Sequence, residues 1–121
     1  LYASFGATKN GDGLALYDRD GKRRAQLDVY NVREPYAPRL TMWDAANEAR
    51  LEVSVNRWPA VTLLDSEQRA LVSVMGDDAE GGIVSFGDAE ERVRMELRCK
   101  QGHGRISITA EDDRTIWQTP H

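Results

Sequence analysis

The sequence predicts an all-β fold: an antiparallel meander of about five β-hairpin repeats, closed as a flattened barrel or a two-layer sandwich. Three observations carry this prediction. Apolar and polar residues alternate along most of the chain, a turn signal recurs about every 21 to 26 residues, and no segment shows a convincing helical stripe. The 121 residues suit one domain, so we expect a single hairpin-repeat domain over residues 1–121.

Residues 13–29, GLALYDRDGKRRAQLDV, show the repeat unit most fully. Because successive strand side chains point to opposite faces, their alternation predicts two short strands with one apolar and one polar face. Asp18 at the loop entry can cap its own turn, and Gly21 tolerates a left-handed backbone. The arginines that precede the second strand are expected on the polar face; they are Arg24, Arg50 and Arg94.

The same unit recurs four more times along the chain. We expect copies near residues 13–29, 39–55, 60–75, 83–98 and 105–119, preceded by a leading strand at residues 1–7. The turn position is occupied in order by Asp18, Asp44, Asp65, Asp88 and Ala110. The apolar residues seven and nine positions later are Ala25, Leu51, Val72, Met95 and Trp117, and Leu27, Val53, Val74 and Leu97. These residues are expected to form the dry side of the sheet.

The loop residues differ between the copies. Three positions past the turn residue, the first two copies carry Gly21 and Asn47, which suit a left-handed backbone. The later copies carry poorer turn formers, namely Gln68, Glu91 and Asp113. Those hairpins are expected to use another loop geometry or to rely on tertiary contacts. Residues 45–50 contain helix formers, but their flanks keep a period of two, so a hairpin is favoured there too.

A sheet of about ten short strands needs a partner for its apolar face. It can curl into a barrel, fold into two layers or dock against another chain. An open edge also invites pairing with a neighbour. We therefore expect protein partners or self-association.

The charge balance and the reactive residues argue against several classes of function. A formal net charge of −4 argues against a nucleic-acid interface, which is normally basic. The basic cluster Lys22-Arg23-Arg24 lies beside acidic residues and is expected to be solvated surface. Cys99 and His103 offer two metal ligands where a site needs three or four, so no metal and no other cofactor is expected. Without a recognisable catalytic motif, the sequence predicts a protein that is not an enzyme.

Two connecting segments supply the candidate binding residues. They are YNVREPYAP, residues 30–38, and NRWPA, residues 56–60, both at the end of the sheet opposite the Asp turns. Exposed aromatic and arginine side chains are typical of binding hot spots. The candidate site for a partner or ligand is therefore Tyr30, Arg33, Tyr36, Arg57 and Trp58. The alternative interpretation is that Trp58 and Tyr36 plug one end of the sheet.

The stretch from Leu14 to Val29 follows the pattern Leu-x-Leu-x-Asp-x-x-Gly-x-x-Arg-Ala-x-Leu-x-Val. This pattern resembles the tandem hairpin repeats of uncharacterised bacterial proteins, and the closing TIWQTP is similar to the Trp-x-x-Pro that often ends those arrays. The resemblance covers almost the whole chain and implies no activity and no catalytic residue. Members of that group often carry an N-terminal hydrophobic anchor, so it favours an extracytoplasmic or membrane-associated location.

These observations favour a non-catalytic structural or interaction module. We expect an accessory subunit of a larger assembly, with a membrane-associated complex as one setting. The alternative is a small-ligand or carbohydrate-binding β domain that uses Trp58, Tyr30 and Tyr36 as a stacking platform.

Overall fold

The computed structural model describes residues 2–8, 11–30, 37–55, 58–79, 81–100 and 102–119. These residues form eleven strands: Tyr2–Thr8 (β1), Gly11–Tyr17 (β2), Arg23–Tyr30 (β3), Ala37–Trp43 (β4), Ala49–Ser54 (β5), Ala60–Leu64 (β6), Ala70–Asp77 (β7), Gly81–Gly87 (β8), Val93–Lys100 (β9), His103–Thr109 (β10) and Thr115–Gln118 (β11). The all-β prediction is confirmed. No helix with the length and apolarity of a membrane span occurs among the described residues.

The strands form one antiparallel sheet in sequence order, β1 to β11, so the predicted hairpin meander is confirmed. Each strand contacts only the strands before and after it in the chain. The described residues therefore make a single layer.

The predicted closure is not found, because the sheet does not close into a barrel and the described chain adds no second layer. A barrel would require β1 to pair with β11, and these two strands lie at opposite edges of the sheet. Short connections favour pairing of each strand with the next. Alternation shows which side of a sheet is apolar, but it does not show what covers that side.

The five Asp-type turns share one backbone geometry. In the first, the Asp18 N–H donates to the carbonyl of Lys22 at 2.9 Å, and the Gly21 N–H donates to the carbonyl of Asp18 at 3.1 Å. The equivalent pair of bonds occurs at the turns that begin at Asp44, Asp65, Asp88 and Ala110. The third residue past the start has a positive φ in every case: 76° at Gly21, 64° at Asn47, 65° at Gln68, 63° at Glu91 and 63° at Asp113.

Of the two alternatives for the later copies, the different loop geometry is therefore wrong. A left-handed backbone costs a residue with a side chain about 1–2 kcal/mol, which turn hydrogen bonds and strand pairing can offset. The expected tertiary contact is present at the third turn, where the Gln68 Nε2 donates to the Ala49 carbonyl at 3.0 Å.

A bulge follows each of these turns. Leu16 pairs with Ala25 whereas Tyr17 pairs with Arg23, so Arg24 is an extra residue in β3. The same shift recurs in the other four hairpins. The extra residues are Arg24, Arg50, Leu71, Arg94 and Ile116. Because a bulge interrupts simple alternation, the register does not fix the side of the sheet on which these side chains lie, and the placement of the arginines on the polar face stays a prediction.

Glycine at the left-handed position of the fourth turn should stabilise the protein. We expect Glu91→Gly to raise the free energy of unfolding by about 0.5–1 kcal/mol, since the relieved strain exceeds the entropic cost of glycine. The matched change Gly21→Ala should lower it by about 1 kcal/mol, because it introduces the same strain in the first turn. Urea denaturation with an unchanged m-value measures both. A less stable Glu91→Gly protein would contradict the backbone explanation.

Candidate protein-binding face

The strand register aligns the apolar residues into two continuous rows on one side of the sheet, here called the apolar face. The first row runs from β1 to β10 through Phe5, Leu14, Leu27, Leu40, Val53, Val61, Val74, Val84, Leu97 and Ile106. The second runs from β1 to β11 through Ala3, Leu16, Ala25, Met42, Leu51, Leu63, Val72, Phe86, Met95, Ile108 and Trp117. At about 4.8 Å per strand, the two rows extend about 45 Å across the sheet.

The apolar face is open. Leu27 is 51% exposed, Val74 46% and Leu97 38%, and both ends of the rows carry exposed aromatic rings at Phe5 and Trp117. The side that was expected to be dry is therefore uncovered by the described part of the chain. The transfer of large apolar side chains out of water lowers the free energy of the system, so this face is the strongest candidate for an interface.

The opposite side, here called the polar face, has short or internally paired side chains. Its central row is Ser4, Ala15, Gln26, Thr41, Glu52, Thr62, Ser73, Ser85, Glu96, Ser107 and Gln118. Arg98 Nε donates to Glu96 Oε1 at 3.0 Å on this face. The buried residues of the described chain, Ala15, Thr41 and Leu64, also lie here. The two faces thus differ in chemistry, and the large apolar side chains lie on only one of them.

A row of Asp turns borders one long edge of the apolar face. In the third turn, Asp65 Oδ1 accepts the N–H groups of Glu67 at 2.9 Å and Arg69 at 3.0 Å, while Arg69 Nε donates to Oδ2 at 2.8 Å. Asp18, Asp44 and Asp88 accept the two equivalent N–H groups in their own turns. Each carboxylate therefore satisfies turn donors that the sheet ladder does not use.

These contacts lower the pKa of three of the carboxyl groups, those of Asp18, Asp65 and Asp88. Partial burial alone would raise the pKa of Asp88, but hydrogen bonds from the Arg94 side chain and from the N–H groups of Arg92 and Glu90 lower it to about 2. Asp18 shows the same balance, with the opposing hydrogen bonds coming from its own turn and from Arg24. For Asp65, the hydrogen bond from the Arg69 N–H is the main cause of the lowered pKa.

Arginines also tie neighbouring turns together. The bulge residue Arg24 binds Asp18 Oδ2 through Nε at 2.7 Å, and its Nη1 donates to the Asp44 carbonyl in the next turn. Arg94 likewise donates from Nη1 to the carbonyl of Ala110, and Arg92 Nη1 donates to the Glu111 carbonyl at 2.9 Å. The border of the apolar face is therefore a chain of partly neutralised charges.

The other long edge of the apolar face changes along its length. In one half it carries the exposed side chains of Val29, Pro38 and Val55. In the other half the same row passes through Gly76, Gly82, Cys99 and Gly104. There the absence of side chains leaves a groove of about 520 Å³, whose lining includes Val74, Gly82, Val84, Leu97, Cys99 and Ile106. A Cβ built on Gly82 would meet no atom within 4 Å, so the groove floor has room for a side chain.

The predicted binding cluster lies mainly beyond what the structure describes. Trp58 is 49% exposed, beside the start of β6. Tyr30 ends β3, where its backbone pairs with Gly11 and Ala37. Arg33, Tyr36 and Arg57 are outside the described residues. The ligand-binding role of the cluster stays a prediction. Docking against another chain was one of three expected ways to cover the apolar side, but the residues of the apolar face were not among the predicted site residues.

The reactive residues do not come together as a metal-ligating cluster in the described chain. No group of three or more side chains of the metal-ligating types comes together there. Cys99 is an exposed free thiol, and its backbone pairs with Gly104, next to His103. In the basic cluster, Arg23 stacks its guanidinium 5.2 Å from the centre of the Trp43 ring, while Arg24 is held by Asp18.

Comparison with known proteins leaves the geometry as the main guide to function: no family model and no curated protein matches this chain. The resemblance to bacterial hairpin-repeat arrays stays a prediction. What the fold defines is a class of architecture, an open single-layer antiparallel sheet with one apolar and one polar face.

The stability of the protein should fall in acid. A carboxyl group whose pKa is lower in the folded than in the unfolded chain stabilises the fold above pH 3.8, and this stabilisation disappears as the pH falls towards 2. Urea denaturation from pH 5 to pH 2 should show that wild type loses its stability advantage over Asp88→Asn, which keeps an acceptor oxygen but has no charge. A constant difference between the two proteins over this range would contradict the role of the ionised carboxylate.

Proposed function

We propose that this protein is a non-catalytic structural or interaction module, an accessory subunit that docks a protein partner on its apolar face. The observation that supports this most strongly is the pair of apolar rows that cross the sheet without a covering layer. The membrane-associated setting implied by the sequence resemblance is part of the proposal.

The energetics of a single-layer sheet favour association. An isolated sheet has no core, and burial of its apolar side chains is the main free energy available to stabilise it. Monomeric proteins rarely expose a contiguous apolar patch larger than about 300–600 Å². A two-row band about 45 Å long reaches that size, so its persistence in an isolated subunit would carry a large hydration cost.

The shape of the face favours a protein over a small molecule. The rows form an extended surface with one deeper region, the groove near Gly82. Small-molecule sites are instead concave and enclose most of the ligand. The chain of paired Asp and Arg residues along one edge matches the polar rim of a protein interface. A second layer supplied by the partner would complete the two-layer sandwich that the alternation predicts.

The native mass of the tagged protein in extracts of its own cells tests the proposal. Wild type should migrate in an assembly larger than the single chain, and Val74→Asp should leave that assembly, with at least a tenfold loss of the large species, because it places a charge in the first apolar row. Ser73→Asp is the matched control, since it places the same charge one residue away on the polar face.

Val74 is already 46% exposed, so Val74→Asp should keep the fold, which circular dichroism checks. Leu27→Ser is a milder second variant on the same row and should weaken the assembly in the same direction. A partnerless monomer for wild type, or equal loss with Ser73→Asp and Val74→Asp, would contradict docking through the apolar face.

A further inference from the structure

We propose that the occupant of the apolar face is a second copy of this chain, packed face to face in a two-fold symmetric sandwich. The inference rests on the proposed function, because it names the partner for the same face. Three features support it: the surface area of the chain, the shape of the third row beside the groove, and the pairing of small with large residues that a two-fold axis produces.

The surface area of the chain exceeds that of a compact monomer. The accessible surface is 8644 Å², whereas a compact monomer of 13.6 kDa exposes about 6,600 Å². The excess is about 2,000 Å² per chain, which is about 4,000 Å² for two chains together. Obligate homodimers bury about 2,000–5,000 Å² over both chains, so one symmetric interface can remove this excess.

The symmetry fixes which strands oppose each other. A two-fold axis that lies between the layers, parallel to the strands and level with the central strand β6, places β3 over the partner's β9, β4 over β8 and β5 over β7. This axis keeps each row of residues opposite the same row of the partner. Two sheets of equal twist then pack with nearly aligned strands, about 10 Å apart.

The third row is self-complementary under this axis. Val55 comes to lie over the partner's Gly76, Pro38 over the partner's Gly82, and Val29 over the partner's Cys99. The side chains of Val29, Pro38 and Val55 thus enter the groove of the other copy. The two-fold symmetry produces the same contact a second time, with the roles of the two copies exchanged. Added side chains at Gly76 and Gly82 would meet open space in the single chain, so the hollow is available to a partner.

The two apolar rows fit the same arrangement. The axis brings Ala25 against the partner's Met95 and Ala3 against the partner's Trp117, so a small residue faces a large one at β3 and at β1 of the second row. At β2 and β4 of the same row, two large residues face each other. Neither row contains a charged residue. The third row contains one charged residue, Asp12, at the register position next to Val29, and the axis places this position over the partner's Gly104. Two identical copies can therefore approach without opposed like charges on the three rows.

Sedimentation equilibrium of purified protein tests the inference with a matched pair of variants. Wild type should have twice the mass of the chain. Gly82→Trp should raise the dimer dissociation constant about 100-fold, because the ring fills the space that the partner's Pro38 enters at both ends of the interface. Gly6→Trp is the control: its site is equally open but lies on the polar face, so dissociation should stay within about threefold.

Cross-linking tests the position of the axis. Val29→Cys should react with the partner's Cys99 through a short bis-maleimide and give a covalent dimer. Within one chain these positions are six strands apart, about 29 Å, so no internal link forms. Wild type, with Cys99 alone, and the double variant Val29→Cys/Cys99→Ser should both stay monomeric on denaturing gels, because each places identical residues equally far apart.

The results separate this inference from the proposed function. A purified monomer that still enters a larger assembly in extracts, dependent on Val74, overturns the dimer and leaves docking of another protein in place. Binding to phosphatidylcholine vesicles by a monomer, lost in Val74→Asp, overturns the dimer in favour of a lipid surface. A dimer that Gly82→Trp leaves intact, or that does not cross-link in Val29→Cys, overturns the proposed packing. A partnerless monomer in both settings overturns both proposals.

Discussion

The left-handed turn and the bulge that follows it set the alignment on which the rest of the sheet depends, and they keep the same geometry where Ala110 replaces the aspartate. In the other four turns a carboxylate supports this geometry. It holds the N–H groups of its own loop, and the bulge that follows fixes how the second strand pairs with the first. A slip of one residue in any hairpin would move that strand's apolar residues to the other face. Because every turn has the same geometry, each hairpin pairs in the same register. The apolar residues of the eleven strands therefore lie on one side of the sheet.

The repeated turn also explains why the sheet forms without a core. Each hairpin obtains backbone hydrogen bonds from its neighbours and local polar contacts from its own turn, so the layer can extend strand by strand. Such local contacts resemble the nearest-neighbour energetics of solenoid proteins. They do not bury the apolar rows, however. The same repeated turn that orders the sheet therefore also creates an apolar surface that the described residues leave exposed.

Much of the fold could be predicted from the sequence because its signals are local. The alternation around Leu14 and Leu27 and the Asp at each turn identify the hairpins, and they outweigh the helix formers near residues 45–50. The shared left-handed turn could not be predicted, since Gln68 and Glu91 are poor residues for that backbone and adopt it only when strand pairing imposes it. The bulge was missed for a related reason: it inserts one residue without breaking the apolar pattern on either side.

The candidate site shows where a sequence pattern stops being informative. The sequence pattern of an apolar row is the same whether the row faces a core, a second layer or solvent. Leu27 and Val74, which were expected on the dry side of the sheet, are exposed in the described chain. The third row has exposed side chains such as Val55 in one half and a groove at Gly82 in the other. This difference cannot be seen in the sequence, because only the strand register shows that the two residues lie in the same row.

The fifth turn, where Ala110 replaces the aspartate, gives the array a direction. This loop has no carboxylate at that position. Within the loop Asp112 Oδ1 accepts the Arg114 N–H at 3.2 Å, and Arg94 and Arg92 of the preceding hairpin donate to the carbonyls of Ala110 and Glu111. The turn of the β10–β11 hairpin therefore relies on contacts from the β8–β9 hairpin. The fourth turn keeps the hydrogen bonds that Asp88 accepts whether or not the fifth turn is formed. On heating, strand pairing should therefore be lost first at β11 and then progressively towards β1, so that the sheet unfolds from one edge and not all at once.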